Sequence, residues 1–191
     1  MIDTHRHMLP ERKCNLTSSK TRPLKPPRWL YVRPRKGAAI IHVHGGWFNW
    51  GTAQAFRNLV GHIALSAGAD AFIPDYRLAP EHQFPAAVRD VEACYRGLVD
   101  KEITRIALRG DSAGGNLALV LLSIASAQAS KGGIAPVGAV ALSPVTDLAL
   151  TSESFDTRAE ADPYFTKSHS SDPIWAGPIR RIRWPRLSTA I

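Results

Sequence analysis

The chain has 191 residues, of which 45% are hydrophobic and 21% charged, and a formal net charge of +8; this is room for one ordinary domain with a sizeable core and a globular rather than fibrous or disordered composition. No apolar run approaches the roughly 20 residues of a membrane span, and the first thirty residues are polar and basic with no apolar stretch of the secretory-leader kind. The cysteines, Cys14 and Cys94, have neither the number for a disulfide framework nor metal-ligand spacing, so both are expected to be reduced and the protein to be cytoplasmic.

Residues 1–37 hold ten Lys/Arg against two Asp/Glu and contain Pro23, Pro26, Pro27 and Pro34. They read as a basic, loosely ordered N-terminal arm with one short strand at Trp29–Val32. The basic charge lies in this arm and in residues 168–191, whereas residues 38–167 hold ten basic and thirteen acidic side chains. A nucleic-acid reader places Lys/Arg on its fold beside a recognisable motif. The core does not, so no nucleic-acid partner is expected, and binding through the tails alone would be salt-dependent and lost with residues 1–37.

From residue 38 the pattern changes. Ala38–His44 is a short apolar run ending at Gly-Gly, as a buried strand does. Thr52–Ala67 has helical spacing, with Ala55, Leu59, Ile63 and Ala67 on one face and Gly68 as the stop. Ala69–Pro74 reads as a second strand and Phe84–Val99 as a helix with Val88, Val91, Tyr95 and Leu98 on its apolar face. Arg105–Leu108 reads as a third strand, Ser112–Ala129 as an apolar helix and Val137–Leu142 as a fourth strand. Strands alternating with helices imply a mostly parallel sheet with helices on both faces. Thr151–Thr166 has no strand period. Residues 168–191, rich in Ser, Pro, Arg and Trp, form an irregular tail, leaving residues 38–167 as the core.

Two motifs carry chemistry. Gly110-Asp111-Ser112-Ala113-Gly114 is G-x-S-x-G between a predicted strand and a predicted helix, the context in which a sharp turn lifts a serine into a strained, exposed position. Glycines on either side let strand and helix approach, and the helix N-terminus favours a developing anion at Ser112. His44-Gly45-Gly46-Trp47-Phe48 follows the first strand and offers unshielded backbone N–H groups of the kind acyl transfer needs.

His44-Gly-Gly-Trp-Phe, Asp75–Asp90 (DYRLAPEHQFPAAVRD), Gly110–Ala118 (GDSAGGNLA) and Leu142–Leu148 (LSPVTDL), in that order over about residues 28–167, resemble the hormone-sensitive-lipase-like family of α/β-hydrolase-fold esterases and lipases. The resemblance implies a carboxylic-ester hydrolase acting on short acyl esters, with Ser112 as nucleophile and Gly45, Gly46 and Ala113 as the oxyanion hole. It implies a small-molecule ester substrate and no metal or organic cofactor. Trp47 stands where the family has a third glycine, and is expected to narrow the acyl pocket. Arg77 and Glu81 are expected to pair or hold their loop, with Pro80 and Pro85 setting its path. His82 is expected to be a loop-packing histidine and His44 to orient the oxyanion loop. Asp111 is not expected to be the triad acid, and Asp147 and Asp162 are expected to serve as a turn and a cap.

In this fold the catalytic acid and then the histidine follow the serine, about 95 and a further 30 residues on in family members. Only Ala113–Ile191 follow Ser112, so neither partner is expected in this chain, the sheet is expected to be incomplete at its C-terminal end, and Val137–Leu142 to be an unprotected edge. A serine without a base is a poor nucleophile, so the alternative is an inactive fragment or a remnant that only binds. Back-translated and slipped by one base, Ile174–Ile191 can read L-G-G-S-D-P-T-D-P-L-A-S-P-L-D-G-D, similar to the family's next segment, which makes an out-of-frame tail the expectation there.

Overall fold

In a computed structural model, which describes residues 37–148 and 151–161, the alternating pattern resolves into a four-stranded parallel sheet with helices on both faces. In chain order the elements are β1 (Ala38–Val43), α1 (Ala53–Ala67), β2 (Asp70–Phe72), α2 (Ala86–Val99), β3 (Arg105–Asp111), α3 (Ser112–Ala129), β4 (Gly138–Leu142) and the short α4 (Ser154–Thr157). The sheet runs β2-β1-β3-β4, every neighbouring pair parallel. The arm, the Trp29–Val32 strand, Asp162 and the tail all lie outside the described residues.

Alternation along the strands assigns the two faces. Ile41, Val43, Ile106 and Leu108 point to one side and pack with Val91, Tyr95 and Leu98 of α2 and Leu117 and Leu121 of α3. Ile40 of β1 and Ala71 and Ile73 point to the other side, against α1. A fully buried aliphatic side chain contributes about 1.5–3 kcal/mol, so these two layers supply the main attraction that holds the sheet. α3 passes for a membrane span by length and composition, yet it is buried from Ala113 to Ala118 and again at Leu121 and Ala125. It is the central helix of the fold, packed on β3 and β4.

Three expectations are corrected. α1 buries Ala53, Val60 and Ala64 and packs Phe56 beneath it, while Leu59 is 48% exposed and Ala55 and Ala67 also face outward. The expected face is rotated by about one residue, because small side chains at Ala53 and Ala64 allow the helix to lie close on β2. Thr52 and Gly68 do bound α1: the Thr52 hydroxyl accepts from Ala55 N–H, and Gly68 is left-handed. β3 runs three residues beyond Leu108, since its ladders continue through Val43↔Gly110 and Asp111↔Leu142. α2 starts at Ala86, not Phe84. β4 carries Val140 at 56% and Leu142 at 41% exposure, preceded by Val137 at 63%.

Candidate active site

The C-terminal ends of the two central strands, β1 and β3, form the floor of the site, with Val43 in register with Gly110. Beyond Asp111 the chain turns at once into α3, and Ser112 takes φ 51. That left-handed backbone is uncommon for a residue with a side chain and costs on the order of 1–3 kcal/mol. The surroundings hold it there. A Cβ on Gly110 would overlap the Gly114 carbonyl, and one on Gly114 would overlap the carbonyls of Val43 and His44. Helix and strands therefore meet backbone to backbone around the serine. The Ser112 carbonyl accepts from Val145 N–H at 3.3 Å, and Asn116 Nδ2 donates to Val145 O at 2.7 Å, so the loop after β4 is tied to the same turn.

The loop after β1 is built around His44, which is fully buried. Its ring stacks on Tyr76, with centroids 4.3 Å apart, and on Phe56 at 5.7 Å. Nδ1 lies 2.8 Å from the Gly45 carbonyl and so carries the proton it donates there, while Tyr76 donates to the His44 carbonyl at 2.9 Å. Gly46 has φ 123, and its carbonyl accepts from Asn49 and Trp50 N–H. A Cβ at Gly46 would overlap the Trp50 carbonyl. The carbonyls of Gly45 and Gly46 are thus engaged, while among the described residues their N–H groups donate no hydrogen bond within the loop. Trp47 and Phe48 follow with φ 54 and 64, which explains why glycine suits the position Trp47 occupies: glycine adopts left-handed backbone without the cost a side chain imposes. His44 does orient the loop, as expected from sequence.

Burial lowers the His44 pKa, only partly offset by the Gly45 carbonyl and by Asp75 and Asp111. His42, also fully buried, has its pKa lowered to about 3, first by burial, then by Arg109 and His44. It is therefore neutral, and its 3.6 Å approach to Asp111 is a contact between a carboxylate and an imidazole N–H, not a salt bridge. Sequence reading missed His42 and Arg109. They are partners in register on β1 and β3, and Arg109 Nη1 lies 2.8 Å from His42 Nδ1. The one available signal was a basic residue inside an otherwise apolar strand.

Arg77 does not pair with Glu81, which is exposed; it grips Asp90 of α2, with Nη2–Oδ1 at 2.7 Å. Asp75 Oδ1 accepts from Ala53 N–H at 2.9 Å and fixes the start of α1. Pro80 and Pro85 each follow a cis peptide bond. His82 is exposed and lines a groove with Phe48, Phe84, Val88, Leu117 and Leu148. Asp147 holds a turn, its Oδ2 accepting from the N–H groups of Thr151 and Ser152 at 2.6 and 2.9 Å. Among the described residues no histidine is hydrogen-bonded to Ser112.

The alpha/beta hydrolase fold family model matches residues 40–179. An acetyl-hydrolase of Streptomyces hygroscopicus is 39% identical over 132 residues, covering 67% of this chain and 43% of that protein. Mouse (Mus musculus) hormone-sensitive lipase is 36% identical over 121 residues, covering 60% of this chain and 16% of the lipase. The chain spans less than half the length of either relative. The crystal structure of an esterase from the bacterial hormone-sensitive lipase family superposes with a TM-score of 0.69 at 37% identity, over 81% of this chain and 55% of that one.

Proposed function

The chain belongs to the α/β-hydrolase-fold family, in its hormone-sensitive-lipase-like branch, and from that premise we propose that it serves as a carboxylic-ester hydrolase for short acyl esters, with Ser112 as the nucleophile. The observation that carries this reading is the left-handed Ser112 at the β3–α3 turn, beside Gly45 and Gly46, whose carbonyls are engaged while among the described residues their N–H groups donate no hydrogen bond within the loop. Ser112 Oγ attacks the ester carbonyl, and the oxygen that becomes negative is met by N–H groups of Gly45, Gly46 and Ala113. Collapse expels the alcohol and leaves an acyl-serine, which water then cleaves. The name of the Streptomyces relative, an acetyl-hydrolase, supports a short acyl group, and the restriction is assigned to Trp47, which follows Gly46 in the chain.

The proton must leave Ser112 through a base. His42 and His44 are unsuited, each buried with Nδ1 already engaged. The fold's own order places acid and histidine after the serine, and no described residue fills either role. The nucleophile and the oxyanion hole are the parts this chain's described residues supply, and the base that activates Ser112 comes from outside them.

Hydrolysis of p-nitrophenyl butyrate by the protein and by Ser112→Ala tests the reading, together with mass mapping of a fluorophosphonate adduct. The expected result is hydrolysis above the variant's and the adduct on Ser112. Equal rates with no adduct on Ser112 overturn it.

A further inference from the structure

Asp111 stands at the N-cap of α3 with extended backbone, φ −118 and ψ 146, yet makes no side-chain cap hydrogen bond. Aspartate at this position ordinarily accepts from N–H groups two or three residues on, which here belong to Ala113 and Gly114. Its carboxylate instead turns toward β1. Oδ1 lies 3.6 Å from His42 Nε2, and Oδ2 lies against Gly45, where an added Cβ would overlap it. Both His42 Nε2 and Asp111 Oδ1 are buried without a hydrogen-bond partner. Arginine can only donate, so Arg109 at 2.8 Å makes His42 Nδ1 an acceptor. A neutral ring with Nδ1 accepting carries its proton on Nε2, aimed at the carboxylate.

We propose that His42, fixed by Arg109, is a positioning residue that holds the Asp111 carboxylate away from its own helix and so keeps the Ala113 N–H free to receive the substrate oxyanion. The inference rests on the ester-hydrolase reading of Ser112. Three residues on two central strands accomplish it: Arg109 sets the ring and its tautomer, the ring draws the carboxylate, and the carboxylate leaves its cap unmade. Without His42 the carboxylate is free to close the two-residue turn onto Ala113, occupying one donor of the hole.

The test compares wild type, His42→Phe, His42→Gln and the double variant His42→Phe/Asp111→Ala, by kinetics on p-nitrophenyl butyrate and by the amide proton resonance of Ala113. His42→Phe is expected to lower kcat by up to about a hundredfold, the effect of losing one oxyanion donor, with KM nearly unchanged, and to move the Ala113 resonance downfield. His42→Gln, which restores a donor, is expected to recover most of the loss. The double variant is expected to exceed His42→Phe in kcat, because no carboxylate remains to occupy Ala113; a merely structural role makes it slower still. Should His42→Phe fail to fold, Arg109→Met, at a half-buried site, is scored in the same way. Wild-type kcat in His42→Phe, or an unmoved Ala113 resonance, overturns the proposal. If wild type is no faster than Ser112→Ala, the ester-hydrolase reading fails instead, and the resonance still decides whether His42 restrains Asp111.

Discussion

Arg77 binds Asp90 through both arms of its fork, Nη2 to Oδ1 at 2.7 Å and Nε to Oδ2 at 2.9 Å, while its own backbone N–H donates to the same carboxylate at 2.8 Å. One carboxylate of α2 thereby fixes the path of the loop that follows β2. Asp90 is nearly buried at 9% exposure and Arg77 is at 34%, so the pair lies between the surface and interior cases. Asp90→Ala is expected to destabilise the fold by about 2–3 kcal/mol, since it strands a guanidinium and a backbone N–H. Arg77→Lys is expected to lose about half of that, because lysine cannot bind in bidentate fashion. Urea midpoints at constant slope measure both, and a midpoint for Asp90→Ala equal to wild type refutes the claim.

Ser112 stores strain that glycine does not. Ser112→Gly is expected to gain about 1 kcal/mol in unfolding free energy from relief of the left-handed backbone, and to abolish Ser112-dependent hydrolysis. Ser112→Ala keeps the Cβ and is expected to abolish hydrolysis without that gain. Equal melting temperatures for the two variants would show that the turn is unstrained.

The close approach of α3 to β1 leaves no room at Gly114. Gly114→Ala is expected to cost more than about 3 kcal/mol, in the range of overpacking that backbone cannot relieve. Gly138→Ala, with nothing within 4 Å of the added carbon, is expected to fall within about 0.5 kcal/mol of wild type. Thermal melts of the two variants, read side by side, check the contrast.

Acid should unfold this protein through its buried histidines. His42 is held neutral down to about pH 3, whereas it protonates near 6.5 when exposed. Between those values the unfolded chain binds the extra proton, so stability is full above about pH 6.5 and falls as the pH drops toward 3, by on the order of 5 kcal/mol. His44 shifts in the same direction. Denaturant titrations from pH 7.5 to 4 should show the decline, and His42→Phe should flatten it.

Asp70 has the opposite sign. Burial raises its pKa from 3.8 to about 6, and Oδ1 is buried without a partner. Its contribution is intact below pH 3.8 and is lost as the pH rises through 6, so the ionised carboxylate is a burden at neutrality. Asp70→Asn is expected to stabilise the fold by about 1–2 kcal/mol at pH 7.5, after allowance for partial exposure, and to be neutral at pH 3.5. A pH-independent effect would sink this account.

The order of elements was legible because strand and helix periods differ and glycines mark the junctions at Gly45, Gly68 and Gly110. The strained Ser112 turn was legible for the same reason: G-x-S-x-G has one conformation available between a strand and a helix. The buried face of α1 was not, since Ala55, Leu59 and Ile63 and the set Ala53, Phe56, Val60 and Ala64 both keep helical spacing, and only the fit of small residues against β2 chooses between them. The Arg77 partner lies 13 residues away, where no local rule points, and Glu81 was favoured only by nearness. The pairing of His42 with Arg109, 67 residues apart, depends on the register of β1 with β3, which is settled by the whole sheet.

The absence of side chains between Gly110, Gly114 and the carbonyls of Val43 and His44 makes the turn at Ser112 a welded joint rather than a hinge. A welded joint cannot be tuned in small steps, because every added atom is refused outright. Variation at this end of the sheet is therefore left to side chains that stand clear of the joint, such as Trp50 at 61% exposure, which can be exchanged without touching the weld.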